Sequence, residues 1–381
     1  MKTSTDRILT THVGSLPRSG AITDLLLKKE RGEAFDPAEL ERVAREAVSD
    51  IVARQVDVGI DVVSDGETAK IGYATYIKDR LSGFGGENSA KPHLDLRDHP
   101  DLRKRMTAFT GPQTFRRLCC VGPVELQDSG AVQQDIAHFR AALERTPATD
   151  AFLNAASPGV VSSFQPNRYY PTHEAYVDAV AEVMRVEYEA IVEAGFVLQV
   201  DCPDLAMSRH TGFQDLSETE FLSRAERHVE ALNGALRNIP AASVRMHVCW
   251  GNYDGPHDHD IPLERVLPIV LKAKPQAISF EASNPRHAHE WAVWRDARLP
   301  QDKILIPGVL DSSTNFVEHP ELVAQRIGTF AGIVGRERLL AGTDCGFGTF
   351  AGYGKIDPAV TFKKLRSLAE GARIASARLW R

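Results

Sequence analysis

The sequence predicts a parallel α/β fold, a (β/α)8 TIM barrel with an insertion between its second and third strands. Short apolar or β-branched runs alternate with longer amphipathic stretches along the chain, the pattern of repeated βα units. Eight such runs are present. A doubly wound sheet would carry a glycine-rich phosphate loop after its first strand, and Gly14-Ser15-Leu16-Pro17-Arg18 is not one.

The first run is Ile8–Val13. A helix is expected over Pro37–Val58, with Asp36 as its capping side chain and Pro37 suited to the first turn. Gly59 ends it before the second run, Asp61–Ser64. Residues 82–149, rich in Gly, Pro and charge, read as the insertion, a hairpin plus a helix. The units then run Phe152–Ala155 with helix Glu174–Ala194, Val197–Val200 with Glu218–Leu236, and Val244–Val248 with Leu263–Ala273. The last three are Ala277–Phe280 with Arg286–Trp294, Ile304–Val309 with Pro320–Ile333, and Leu339–Ala341 with Pro358–Leu379. Residues 1–381 thus read as a single barrel domain.

Of the 381 residues 43% are hydrophobic and 25% charged, enough to pack a core and to exclude wholesale disorder. No run approaches the roughly 18 apolar residues of a membrane span. The opening Met1-Lys2-Thr3-Ser4-Thr5-Asp6-Arg7 has no apolar signal core, so a cytoplasmic protein is expected. Five cysteines are too few for a disulfide framework. A formal charge of −6 without a long basic run gives no footprint for nucleic acid. A homo-oligomer is compatible with this composition.

A barrel does its chemistry at the C-terminal ends of its strands, and most of these strands end in polar or metal-binding groups. They are His12 and Ser15, Asp65 and Glu67, Asp201, His247 and Cys249, Glu281, Asp311, and Asp344 and Cys345. The sharpest pattern is His247-Val248-Cys249: residues i and i+2 of a strand share a side, so both can bind one ion. Imidazole with thiolate suits a borderline-soft cation, Zn2+ first. Cys345 and Glu281 are the candidates to complete the site. Cys119, Cys120 and Cys202 read as ordinary thiols. His257-Asp258-His259-Asp260 reads as an exposed loop, with a second metal as the alternative, and Arg286-His287-Ala288-His289 as a helix start with solvated histidines.

These motifs resemble the catalytic barrel of the cobalamin-independent methionine synthases. The barrel, like that of uroporphyrinogen decarboxylase, is shared with the epoxyalkane:coenzyme M transferases. The matching pieces are Thr10-Thr11-His12-Val13-Gly14-Ser15-Leu16-Pro17, Ser64-Asp65-Gly66-Glu67, Leu198-Gln199-Val200-Asp201, His247-Val248-Cys249, Phe280-Glu281-Ala282-Ser283, Pro307-Gly308-Val309 with Asp311, and Thr343-Asp344-Cys345-Gly346. The resemblance implies zinc held by His247, Cys249, Glu281 and Cys345, with homocysteine cradled by Ser15, Glu67 and Asp201. It implies small-molecule partners, a thiol and an alkyl donor.

Two departures bear on the donor. The family's histidine after the strand-seven aspartate is absent from Asp311-Ser312-Ser313-Thr314-Asn315, and Cys202 replaces the glutamate after Asp201. His12, His210, Tyr170 and Asp311 remain as candidate acid or base groups. Methyl transfer from a 5-methyltetrahydrofolate-type donor to homocysteine is the leading expectation. Addition of coenzyme M to an epoxide is the rival, with Arg18 or Arg168 for its sulfonate. A metal-free decarboxylase is the alternative of another class.

Overall fold

A computed structural model describes residues 1–88, 91–110, 115–354 and 356–381; six insertion positions, 89–90 and 111–114, lie outside them. The barrel strands are β1 (Leu9–Thr10), β2 (Val62–Val63), β3 (Asp150–Ala156), β4 (Val197–Asp201), β5 (Val244–Val248), β6 (Ala277–Phe280), β7 (Ile304–Pro307) and β8 (Leu340–Ala341). All eight run where the sequence places them, the first two and the last two shorter than expected.

Strands β2 to β7 pair in order as one parallel sheet, and β1 pairs in parallel with β8. Parallel bridges Leu305↔Leu339 and Gly308↔Gly342 join β7 to β8. The other seam is thin: the Asp61 amide donates to the Thr10 carbonyl at 3.2 Å, and the Thr11 hydroxyl to the Val62 carbonyl at 3.0 Å. These bonds close the ring.

The helices are α1 (Gly20–Arg31), α2 (Pro37–Asp57), α3 (Leu94–Asp98), α4 (Pro100–Thr110), α5 (Gly130–Arg145), α6 (Pro158–Phe164), α7 (His173–Glu193), α8 (Glu218–Ala235), α9 (Leu263–Val270), α10 (Trp291–Asp296), α11 (Pro320–Val334) and α12 (Pro358–Leu379). Asp36 caps α2, accepting from the Ala38 amide at 2.9 Å. Within residues 82–149 a two-stranded antiparallel pair, Phe84–Gly85 with Cys119–Cys120, stands beside α3 and α4. Helix α5 packs on α2 and so takes the place of a barrel helix between β2 and β3. Helices α1 and α6 have no counterpart in the sequence reading. No described helix is long and apolar enough to cross a membrane.

Strand alternation sorts the side chains into two sets. Leu198, Val200, Val244, Met246, Val248, Ile278, Phe280 and Leu305 face the helices in the large outer core. Leu9, Val62, Phe152, Val197, Ala277, Ile304, Ile306 and Leu340 form a separate cluster, the apolar plug inside the barrel. Above the plug the interior is polar. Arg245, 0% exposed, donates to Gln199 Oε1 at 2.6 Å, Thr11 Oγ1 at 2.9 Å and the His12 carbonyl at 2.5 Å. Its guanidinium lies 3.5 Å from the Phe152 ring centroid. Two residues on, the same inward alternation delivers Asp201 and His247, and then Cys249, to the mouth.

Arg245→Met should therefore lower the unfolding free energy by about 3–5 kcal/mol, the cost of stripping partners from buried polar groups and a buried carboxylate. Urea unfolding monitored by tryptophan fluorescence measures it; a loss below about 1 kcal/mol would show that the interior does not depend on this cation.

Candidate metal and thiol site

At the C-terminal mouth lies a cavity of about 580 Å3, whose lining includes Ser15, Glu67 and Asp201 together with His247, Cys249 and Cys345. The ligand atoms of His247, Cys249 and Cys345 all lie within 4.8 Å of one another, and all three residues are buried. The two sulfurs are 3.5 Å apart. Thiolates sharing a tetrahedral zinc at bond lengths of about 2.3 Å would sit roughly 3.8 Å apart, so the spacing suits a common ion. Neither ring nitrogen of His247 has a well-formed hydrogen bond, and burial holds the ring neutral, with a pKa pulled down to about 3. A buried imidazole with idle nitrogens beside two thiols is a donor set that fits a metal. The neighbouring Cys345, then burial and Glu281, push the Cys249 thiol well above its ordinary pKa, whereas the Gly251 amide donates to its sulfur at 3.3 Å.

Glu281 stands beside Cys249, outside the three-residue cluster. Its Oε1 accepts from the Trp250 amide and its Oε2 from the Asn284 side chain, both at 2.7 Å. Each oxygen keeps a second lone pair, so ligation stays open to it. The loop behind Glu281 wraps round Asp344, which accepts the Ala282, Ser283 and Asn284 amides at 2.8–2.9 Å. Burial, then Glu281 and Asp311, push the Asp344 carboxyl up to about 7.

The same cavity presents two carboxyl groups. Asp201 accepts from Gln199 at 2.8 Å and from Asn154 at 3.0 Å, so its orientation is locked. Glu67 has a left-handed backbone, φ 53°, a conformation that costs a non-glycine residue about 1–3 kcal/mol and clusters at functional sites. Its amide donates to Asp65 Oδ1 at 2.9 Å, and its carbonyl accepts from Arg18 at 2.8 Å. The strained peptide is thus gripped from both sides, while Glu67 Oε2 is buried without a partner. Burial, then Asp201, push the Glu67 carboxyl up to about 8; burial pushes Asp201 up to about 6. Two facing carboxyls with one oxygen idle make a receptor for a cation of ammonium size. Gly14 allows this packing: at φ 139° a Cβ there would strike the Asn154 amide.

A family model for the catalytic domain of cobalamin-independent synthases matches residues 8–91. Methionine synthases of Saccharolobus solfataricus and Sulfolobus acidocaldarius are each 23% identical to the chain, the first over 98% of this chain and 96% of its own length, the second over 97% and 93%. Over nearly its whole length the chain is thus similar to methionine synthases. The solved B12-independent methionine synthase of Shewanella sp. W3-18-1, in complex with selenomethionine, superimposes with a TM-score of 0.71 at 21% identity, covering 98% of this chain and 99% of that one.

The expected proton carriers lie off the cavity wall. His12 is spent structurally: Nδ1 accepts the Gly14 amide at 3.1 Å, which puts the proton on Nε2, 2.7 Å from Gln55 Oε1. Burial lowers its pKa to about 3. Asp311 is a loop cap, accepting from the amides and hydroxyls of Ser313 and Thr314. His210 sits behind the wall, 3.4 Å from the Tyr253 hydroxyl and 3.3 Å from Asp260. Tyr170 accepts from the Val124 amide in the insertion.

The two arginines expected for a sulfonate are placed elsewhere as well. Arg18 is turned to the Glu67 and Gly348 carbonyls, and Arg168 is exposed. His257 and His287 are not solvated: both bond Asp260, at 2.9 and 3.0 Å, in a buried network, and no second metal cluster occurs among the described residues. Sequence reasoning missed Lys91, His93, Arg103, Phe115 and Arg117, which line the cavity from the insertion, and Tyr73 and Tyr253. Nothing local in the sequence marks them.

Because Glu67 and Asp201 bind protons more tightly folded than unfolded, their contribution to stability is full at low pH and shrinks as pH rises through about 6 to 8. Glu67→Gln should flatten that fall. Melting temperatures taken across this range test it; identical slopes in variant and wild type would place the carboxyl in solvent.

Proposed function

We propose that this chain is a zinc-dependent homocysteine S-methyltransferase taking its methyl group from a 5-methyltetrahydrofolate-type donor. One observation carries the reading: a buried soft-donor cluster and a facing carboxylate pair share one cavity. That pairing suits a molecule with a thiol at one end and an ammonium at the other. It favours an amino-acid thiol over coenzyme M, whose sulfonate would meet Glu67 and Asp201 with repulsion. The Shewanella relative, seen with selenomethionine, is in keeping with an amino-acid thioether as product.

His247, Cys249 and Cys345 would hold the ion, with Glu281 as the fourth ligand and, being the hardest, the one to yield. Zinc supplied there would deprotonate an incoming thiol while leaving it nucleophilic, where a free thiol near pKa 8.5 is only a few per cent thiolate. Asp201, locked by Gln199 and Asn154, and Glu67, with its idle oxygen, orient the ammonium. Ser15 lies on the adjoining loop to meet the substrate's polar end. So placed, sulfur can attack an sp3 carbon along a fixed line, the gain being one of orientation. The proton lost from Glu67 on binding adds to the one lost from the thiol, so affinity should strengthen as pH rises from 6 towards 8.

Elemental analysis should find one zinc per chain, lost in the Cys249→Ala, Cys345→Ala double variant. Retention of zinc there would overturn the ligand set.

Asp201→Asn should weaken homocysteine by about 1–3 kcal/mol yet leave 2-mercaptoethanol, which has no ammonium, nearly unchanged. Calorimetry with the two thiols decides it. The activity itself is tested by methionine formation from homocysteine and 5-methyltetrahydrofolate; no product at any enzyme concentration would refute the reading.

A further inference from the structure

Methyl transfer from a folate-type nitrogen needs a proton for the departing atom, and the groups expected to supply it are engaged elsewhere. His12 is bonded to Gln55, Asp311 to its own loop, and His210 lies behind Tyr253. On the cavity wall Tyr253 donates to Asp95 at 2.5 Å, and Lys91 is paired with Asp215.

Tyr73 differs from all of these. It lines the same cavity as Glu67, Asp201, His247, Cys249 and Cys345. Its ring is held edge-on by Phe164, with centroids 5.6 Å apart, and at a tilt by Phe350 at 5.7 Å. The chain beneath it is fixed too: Gly72 bridges to Phe350, and the Ala351 amide donates to the Ile71 carbonyl at 2.9 Å. A Cβ on Gly72 would strike the Phe350 ring, so glycine there lets Phe350 close on Tyr73. The Tyr73 hydroxyl has no hydrogen bond to any described residue. Burial, then Cys249 and Cys345 and after them Asp201 and Glu67, push the Tyr73 hydroxyl well above its ordinary pKa, so it keeps its proton in the cavity it shares with them. Arg117, also on the wall, is near enough for the two to interact and would steady a phenolate.

We propose that the Tyr73 hydroxyl is the proton donor to the atom that leaves the transferred methyl carbon. The proposal rests on the methyl-transfer reading above. Homocysteine sulfur forms the S–C bond as the C–N bond breaks, and the electron pair stays on nitrogen. Tyr73 gives that nitrogen its proton, and the phenolate takes back the proton that the thiol released on binding. One methyl group is exchanged for one hydrogen between nitrogen and sulfur, with no change of oxidation state and no further reactant.

Tyr73→Phe keeps the ring and removes the acid. Wild type and variant, both loaded with zinc, are compared with homocysteine and two methyl sources. One is 5-methyltetrahydrofolate, whose nitrogen must be protonated, and the other is methyl iodide, whose iodide leaves without a proton. The variant should retain zinc content and homocysteine affinity, form methionine from methyl iodide at the wild-type rate, and lose about 10²–10⁴-fold with the folate. Folate turnover within threefold of wild type would overturn the assignment. So would an equal loss with both methyl sources, which would make Tyr73 part of the thiol site instead. A wild type that uses methyl iodide but not the folate would refute the donor reading, and Tyr73's role with it. An active wild type with an unimpaired Tyr73→Phe refutes Tyr73 alone.

Discussion

A cation buried on the barrel axis organises the site above it. Arg245 has no ion pair within bonding distance; it is satisfied by Gln199, Thr11 and the His12 carbonyl. Gln199 turns from it to Asp201 and so transmits one orientation to the carboxylate at the mouth. Burial pulls the guanidinium below its ordinary pKa, and Asp201 and Asp150 oppose that shift. Such a charge is tolerable only where its partners are preorganised. The bonds that hold Arg245 therefore also hold β1, β4 and β5 in mutual register. His247 and Cys249 extend that same strand, which ties the geometry of the candidate metal cluster to the polar interior.

The fold was legible because each strand is a dense apolar run and each long helix an amphipathic one. Boundaries slipped where few hydrogen bonds define an element: Ile8–Val13 shrinks to two residues, as the closing seam is made by single bonds and side chains. Helix α1 escaped notice because its apolar positions, Ile22, Leu25 and Leu26, occupy a short stretch with no capping side chain. The soft-donor cluster could be read from strand parity alone, since His247 and Cys249 are two apart and Cys345 follows another strand's end. What a neighbour does with a lone pair could not. His12 and His210 stand at suggestive places, yet Gln55 and Asp260 lie far away in sequence. Asp311 is the exception. Its Asp-Ser-Ser-Thr sequence is that of a side chain folding back on its own turn, and the structure makes it one.

The insertion explains why part of the cavity lining was illegible. Lys91, His93, Arg103, Phe115 and Arg117 come from a segment with little regular pairing, and no periodicity predicts which of its side chains turn inward. Tyr73 lies just before that segment, clamped between rings contributed after β3 and β8. Aromatic edges of this kind give a shaped apolar wall next to a strongly polar floor.

The division between strand-borne and insertion-borne walls has an evolutionary consequence. His247 and Cys249 are spaced by β5 itself and Asp201 by its register with β5, where His247 pairs with Asp201, so no loop change moves one relative to another. The insertion is anchored by a short strand pair and is free to vary in length and content between its ends. A lineage could therefore reshape the insertion-borne part of the cavity while the strand-borne residues are inherited intact.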